Sequence, residues 1–326
     1  MAFLKDGRLF VADGTDGAVY LLDPQSAAIS RLGRTGSGPG EYRRPEVLGT
    51  TDQGRIVVRD MQQFRVISWN RDGSLHASTG PGSKRDGVIW APVAVVRGGH
   101  LVTTAAAYGT PAPAGTLRRI MASVQVEDTD SRVVQTLGSF PFADFISLLL
   151  PMDGGGLIQG PRYFGWKLHV AAGPTFVVVG AGGERDVRTF GVGGDSIGVI
   201  HLAEARLPVT QQMRDALMAR AQGGFQGAVT PTSFAPERFA DSLPLFSNLL
   251  TTATGTVWVV APSWERHAPA SMTAYTLRGA RLGGVQLPLG FTPLAATDSA
   301  VAGYLLDENE VATVAVYRVR VGSGGR

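Results

Sequence analysis

Apolar stretches alternate with small-residue turns along most of the chain, and this pattern predicts many short β-strands. Residues 4–24 read LKDGRLFVADGTDGAVYLLDP, with an Asp-Gly turn, an apolar strand, a polar turn and a second strand. The same order returns in residues 49–75. Four weaker copies follow, within residues 93–138, 166–190, 249–277 and 294–319. The chain therefore contains six copies in all. Repeats of roughly 40–50 residues with four short strands each are typical of β-propeller blades.

Some of these strands are apolar at every position, as in Thr175–Val179 and Val257–Val260. Such runs indicate strands that are buried on both faces of their sheet. Radial stacking of sheets produces this burial, because each sheet covers the faces of its two neighbours. We therefore predict an all-β fold, a six-bladed β-propeller that spans residues 1–326 as a single domain. We expect the ring to close by pairing between the N-terminal and C-terminal segments.

Residues 203–243 interrupt the strand pattern and predict a helical insertion between later blades. Pro208 and Thr210 are typical of a helix start, and the pair Gly223-Gly224 is typical of a helix end. An apolar stripe, formed by Met213, Leu217 and Ala221, recurs every four residues between them. The stripe could dock on the propeller itself, or it could be presented to a partner, and the sequence leaves both alternatives open. On the outer face of the helix, Arg214 and Arg220 are candidates for partner contact.

Composition narrows the function classes. Apolar residues make up 44% of the 326 residues and charged residues 17%, which favours a large core. The net charge of +3 is small for this length and does not favour nucleic-acid binding. The absence of cysteine excludes disulfides and thiol chemistry. No apolar run is long enough for a membrane span, and the first ten residues lack the features of a signal peptide.

A Gly/Pro-rich connection, GRTGSGPGEY at residues 33–42 followed by Arg44-Pro45, joins the first two repeats. It resembles the GPGEF-type segment of bacterial six-bladed propellers related to NHL repeats. The resemblance implies the same fold and an extracytoplasmic (periplasmic) location, and it implies no particular reaction. Successive glycines could also hold an anion. Turn chemistry favours a link between blades instead, with a positive φ at Gly40.

Candidate catalytic motifs in the sequence are few. Gly194–Gly198 matches the G-x-S-x-G nucleophile pattern around Ser196, but its neighbours predict a hairpin turn rather than a strand-to-helix elbow. The five histidines are dispersed, without the spacing of a metal motif. Propeller lactonases hold a metal in the central channel, and Glu41 or Asp60 could supply a carboxylate. The sequence therefore predicts no catalytic residue, metal or cofactor, with a metal-dependent hydrolase or lyase of the lactonase type as the alternative.

A single loop combines an aromatic ring, an acid and two basic groups, and it reads Trp264-Glu265-Arg266-His267. Loops on a rigid scaffold commonly carry binding residues, although a solvated loop has the same composition. With the helix, this loop predicts a non-catalytic protein-interaction module. We expect a protein partner, and an accessory role in a larger membrane-associated complex, such as an electron-transfer complex, with peripheral association only.

Overall fold

The computed structural model describes residues 1–81, 84–85, 88–110, 112–150, 156–224, 234–265 and 267–319. Within these ranges, six antiparallel sheets of three or more strands follow one another along the chain, and we number them sheets 1 to 6. Sheet 1 contains β1 (Ala2–Phe3), β2 (Leu9–Asp13), β3 (Ala18–Asp23) and β4 (Ala28–Leu32). A short parallel pair follows, β5 (Arg34–Thr35) and β6 (Glu41–Tyr42). Sheet 2 contains β7 (Pro45–Thr50), β8 (Ile56–Asp60), β9 (Arg65–Trp69) and β10 (Leu75–Pro81).

A second short pair precedes sheet 3, and it consists of β11 (Lys84–Arg85) and β12 (Val88–Ile89). Sheet 3 contains β13 (Ala91–Val95), β14 (Leu101–Ala106), β15 (Leu117–Glu127), β16 (Val133–Leu150) and β17 (Gly156–Pro161). Sheet 4 contains β18 (Leu168–Ala172), β19 (Phe176–Ala181), β20 (Asp186–Gly191) and β21 (Ser196–His201).

The helix lies between sheets 4 and 5. Helix α1 runs over Gln211–Gly224, and a 3-10 turn follows at Pro236–Arg238. Sheet 5 contains β22 (Asn248–Thr251), β23 (Thr256–Val260), β24 (Pro269–Thr276) and β25 (Arg281–Leu289). Sheet 6 contains β26 (Phe291–Ala296), β27 (Ala300–Leu306) and β28 (Ala312–Arg318). A one-turn 3-10 segment, Arg97–Gly99, lies within sheet 3.

The first strands of the six sheets contact one another in a ring. Strand β1 contacts β7, and the contacts continue in order through β13, β18, β22 and β26, which returns to β1. The ends of the described chain therefore meet by lateral packing. They do not pair as strands: β1 pairs with β2, and β28 pairs with β27. The expected closure by strand pairing is thus wrong for the described residues. The resulting architecture is an all-β, propeller-like fold.

The core lies between successive sheets, which explains the uninterrupted apolar strands. In β19, Phe176 and Val178 pack toward sheet 5, whereas Val177 and Val179 pack toward sheet 3. In β23, Val257 packs toward sheet 4 and the next residue, Trp258, toward sheet 6. Neighbouring side chains of a strand point to opposite faces, so a strand between two sheets needs apolar residues throughout.

The GPGE segment is a structural link between sheets 1 and 2. Gly40 has a φ of 71°, as predicted from its turn position. The Glu41 carboxylate accepts a hydrogen bond from the Gly38 amide at 2.8 Å and pairs with Arg34 at 2.7 Å. These contacts lower the pKa of Glu41, the Gly38 amide contributing most and Arg34 next. Arg65 donates to the carbonyl oxygens of Ser37 and Glu41. The glycine amides and the carboxylate therefore serve the link itself.

Candidate functional site

The predicted helix and the predicted loop meet at one cleft of about 570 Å³. Helix α1 contributes Arg220, and the loop after β23 contributes Trp264 and Glu265. The opposite wall comes from β26 and β27, with Phe291 and Tyr304 among its residues. The cleft thus combines aromatic rings with charges of both signs.

Two contacts hold the helix against the loop. Arg220 Nη2 donates to the carbonyl oxygen of Trp264 at 3.4 Å. The Trp264 ring packs against a small buried cluster formed by Val209, Met213 and Leu243. Val209 precedes the helix, Met213 lies in it and Leu243 follows it, so the cluster joins all three segments to the loop. This packing fixes the shape of this wall of the cleft.

The start of the helix agrees with the sequence prediction. The Thr210 side chain accepts a hydrogen bond from the Met213 amide at 3.3 Å, as expected of an N-cap residue, and the described helix extends to Gly224. Met213 is only 7% exposed, and Leu217 and Ala221 are half-buried. The apolar stripe therefore docks locally rather than facing outward.

The other predicted interaction residues lie in different surroundings. Arg214 does not line the cleft, and its guanidinium lies over the Phe239 ring, with 5.3 Å between Cζ and the ring centroid. His267 is exposed, and it lies beside Gly290. Arg266 lies outside the described residues. Nothing in the sequence indicated that Tyr304 would line a cleft, because its position in an apolar strand indicates only core packing.

The two serine hydroxyls at the cleft hold the backbone. Ser247 Oγ donates to the carbonyl oxygen of Ala261 at 3.0 Å, and Ser263 Oγ donates to that of Glu265 at 2.8 Å. The described residues that line the cleft include no histidine.

A second cavity, of about 420 Å³, lies between the first strands of the sheets. Its lining is mostly small apolar side chains and threonines, and its charged groups are Lys5, Asp52 and Asp298. Lys5 Nζ donates to the carbonyl oxygen of Asp52 at 3.3 Å, and Asp298 accepts from the Thr254 hydroxyl. This cavity corresponds to the central channel of a propeller.

One buried histidine lies beside this channel. His169 on β18 is 8% exposed, packs against the Phe246 ring and shares a hydrogen bond with the side chain of Asn248, which lines the cavity. Burial lowers its pKa to about 3, and the charge of Lys167 adds to the effect. The imidazole is therefore neutral at physiological pH, a form suited to packing and hydrogen bonding.

No three His, Asp or Glu side chains of the described ranges converge on one point. Glu41 is held by Arg34, and Asp60 accepts backbone amides of Arg43, Arg44, Gln62 and Gln63. The two carboxylates that were candidate metal ligands in the sequence therefore bind groups of the connections between strands instead.

The G-x-S-x-G match lies in a hairpin, as its neighbours predicted. Ser196 begins β21, which pairs with β20 across the turn. His201 lies at the far end of β21 and pairs with Asp186 at 2.9 Å on the surface. Five residues of extended strand, about 16 Å, separate the serine from this histidine. The motif therefore lacks the strand-to-helix elbow that nucleophilic chemistry needs.

No helix of the described ranges has the length and apolar character needed to cross a membrane. This agrees with the sequence, in which no apolar run was long enough for a span.

The first of the following solved structures supports the fold. A member of the DUF4221 family from Bacteroides vulgatus has a TM-score of 0.54 at 10% identity, over 97% of this chain and 92% of that chain. An exported protein from Bacteroides fragilis has a TM-score of 0.49 at 12% identity, over 92% and 77%. A gluconolactonase from Xanthomonas campestris has a TM-score of 0.47 at 11% identity, over 93% and 80%. At such identities the likeness concerns the fold alone.

No protein-family model and no curated protein matches the chain. The sheets define an all-β protein with a propeller-like arrangement of antiparallel sheets.

Proposed function

We propose that the chain is a six-bladed β-propeller that carries a helical insertion and acts as a non-catalytic protein-interaction module. The ring of contacts among the first strands of six successive sheets supports the blade count. The position of α1 between sheets 4 and 5 supports an insertion between blades.

The cleft between α1, the Trp264 loop and sheet 6 is the proposed partner site. The observation that carries this proposal is its composition: Trp264 and Tyr304 supply partly exposed aromatic surface, while Arg220 and Glu265 supply opposite charges. Tyrosine, tryptophan and arginine are the residues that contribute most at protein interfaces. The Ser247 and Ser263 hydroxyls hold backbone carbonyls, which favours a rigid wall at this part of the cleft.

An extracytoplasmic location and an accessory role in a membrane-associated complex extend this proposal. Their support is the resemblance of residues 33–45 to the GPGEF-type segment. The alternative remains a metal-dependent hydrolase or lyase of the lactonase type. Elemental analysis of purified protein separates the two, since one divalent metal per chain would favour the alternative.

Two charge reversals test the partner site. Arg220→Glu and Glu265→Lys change the cleft, and the matched control Arg132→Glu changes an exposed arginine on the turn between β15 and β16. The partner would first be obtained by co-purification from the native source. We expect each cleft variant to weaken its binding at least about tenfold, or 1.4 kcal/mol. Equal binding by all three variants would remove the cleft from the interface.

A further inference from the structure

Three arginines converge where the chain enters and leaves the helical region. Arg162 follows β17, Arg214 lies in the first turn of α1, and Arg238 lies in the 3-10 turn. Backbone hydrogen bonds join the two outer segments, from the Tyr163 amide to the Arg238 carbonyl at 2.6 Å and from the Ala240 amide to the Tyr163 carbonyl at 2.9 Å.

Aromatic rings hold two of these guanidinium groups in place. The Arg214 guanidinium lies 5.3 Å from the centroid of the Phe239 ring, and that of Arg238 lies 4.8 Å from the centroid of the Tyr163 ring. The two ring centroids are 5.3 Å apart. Arginines stacked on adjoining rings are oriented in advance, so that little freedom is lost when their N–H groups bind a ligand.

The Nε–H groups of these three arginines lack the acceptors that buried donors require. The Nε atoms of Arg162, Arg214 and Arg238 are buried without a hydrogen-bond partner. Within the described ranges, Arg214 and Arg238 make no side-chain hydrogen bond or ion pair at all. Arg162 donates to the Phe239 carbonyl and reaches Asp241 at 3.4 Å, although the Asp241 side chain is 91% exposed.

Carboxylates of the chain do not balance this charge. Asp144 pairs with Arg119 at 3.1 Å, and Asp215 accepts a hydrogen bond from Gln211 at 2.8 Å. Glu237 is exposed on the 3-10 turn. The sequence between Gly224 and Phe234 contains no Asp or Glu. Among the described residues, Asp241 is the one carboxylate that pairs with any of the three arginines, and it pairs with Arg162 alone.

We propose that Arg162, Arg214 and Arg238 form a binding site for an oxyanion, the phosphate or carboxylate group of a ligand. The planar N–H fork of arginine matches both groups and can bind either through two parallel hydrogen bonds. An oxyanion would supply the missing acceptors and neutralise the shared charge. The site does not depend on the partner cleft, which Arg214 does not line.

Calorimetric titration of the full chain tests this site. Inorganic phosphate and succinate serve as separate probes at constant ionic strength, which distinguishes a phosphate from a carboxylate ligand. We expect saturable binding of at least one probe with one site per chain. Arg214→Met and Arg238→Met should each weaken it at least tenfold, and Arg214→Lys, which keeps the charge without the fork, should weaken it less. Arg132→Met, at an exposed ion pair elsewhere, should leave it unchanged.

Thermal unfolding separates a ligand site from a structural role. Without probe, Arg214→Met should melt at or above the temperature of the unmodified chain, because it removes a buried donor that has no acceptor. Saturating probe should raise the melting temperature of the unmodified chain and not that of the variant. Absence of saturable binding of both probes, retention of binding in both methionine variants, or a lower melting temperature of these variants without probe would overturn the proposal.

Discussion

The lowered pKa of the buried His169 predicts that the free energy of unfolding of this protein falls as the pH drops below about 6.5. The side chain is buried beside the channel, and its pKa is lowered to about 3, mainly by burial. In the unfolded chain a histidine titrates near its ordinary value, 6.5. Between these values the unfolded state binds one more proton than the folded state. Stability is therefore complete above pH 6.5 and is lost as the pH falls toward 3.

The magnitude follows from the two pKa values. A full proton difference changes the free energy of unfolding by about 1.4 kcal/mol per pH unit. Between pH 7.5 and pH 5 the loss amounts to about 2 kcal/mol. Above pH 5 this result depends very little on the folded value, since His169 stays almost fully neutral whether its pKa is 3 or 4.

The assay is urea unfolding of the unmodified chain and of His169→Gln at several pH values from 7.5 to 5. Glutamine does not titrate, and it can still hydrogen-bond to Asn248. The substitution should lower stability by a constant amount through changed packing and should also flatten the profile by about 2 kcal/mol over this range. All other titrating groups are common to both proteins and cancel in the difference. Parallel profiles for the two proteins would refute the assignment.

Further predictions concern the links between sheets. Gly40→Val should lower the free energy of unfolding by about 1–3 kcal/mol. The reason is that φ at Gly40 is 71° and that the added Cβ would lie 3.2 Å from the Trp69 ring. Equal urea midpoints of the variant and the unmodified chain would contradict this prediction. Asp60→Ala should cost about 2–4 kcal/mol, since it leaves several backbone amides without an acceptor; a loss below 1 kcal/mol would show that water replaces the carboxylate. Deletion of residues 311–326 removes β28 and leaves β27, which contains the buried Val301, as an open sheet edge. Because open edges pair with other chains, light scattering should detect aggregation. A monomeric variant with an unchanged melting temperature would contradict this prediction.

The strands and the helix could be read from the sequence because they depend on local patterns. Uninterrupted apolar runs such as Val257–Val260 occur in strands covered on both faces, and the structure buries this run completely. The helix begins just after Pro208 and Thr210, as predicted, and the cap at Thr210 forms as its side-chain chemistry requires. The positive φ at Gly40 likewise follows from the needs of one turn.

The sites depend on which distant segments meet, and only the tertiary structure decides this. Arg220 and Trp264 are 44 residues apart, yet they meet through a hydrogen bond that forms one wall of the cleft. Arg162 and Asp241, 79 residues apart, are neighbours in the arginine cluster. The ring closes because β1 packs against β26 and does not pair with it. Local sequence patterns likewise do not predict this contact. Hydrophobic periodicity reports only that a face is buried, whereas the identity of the covering segment depends on how all the sheets stack.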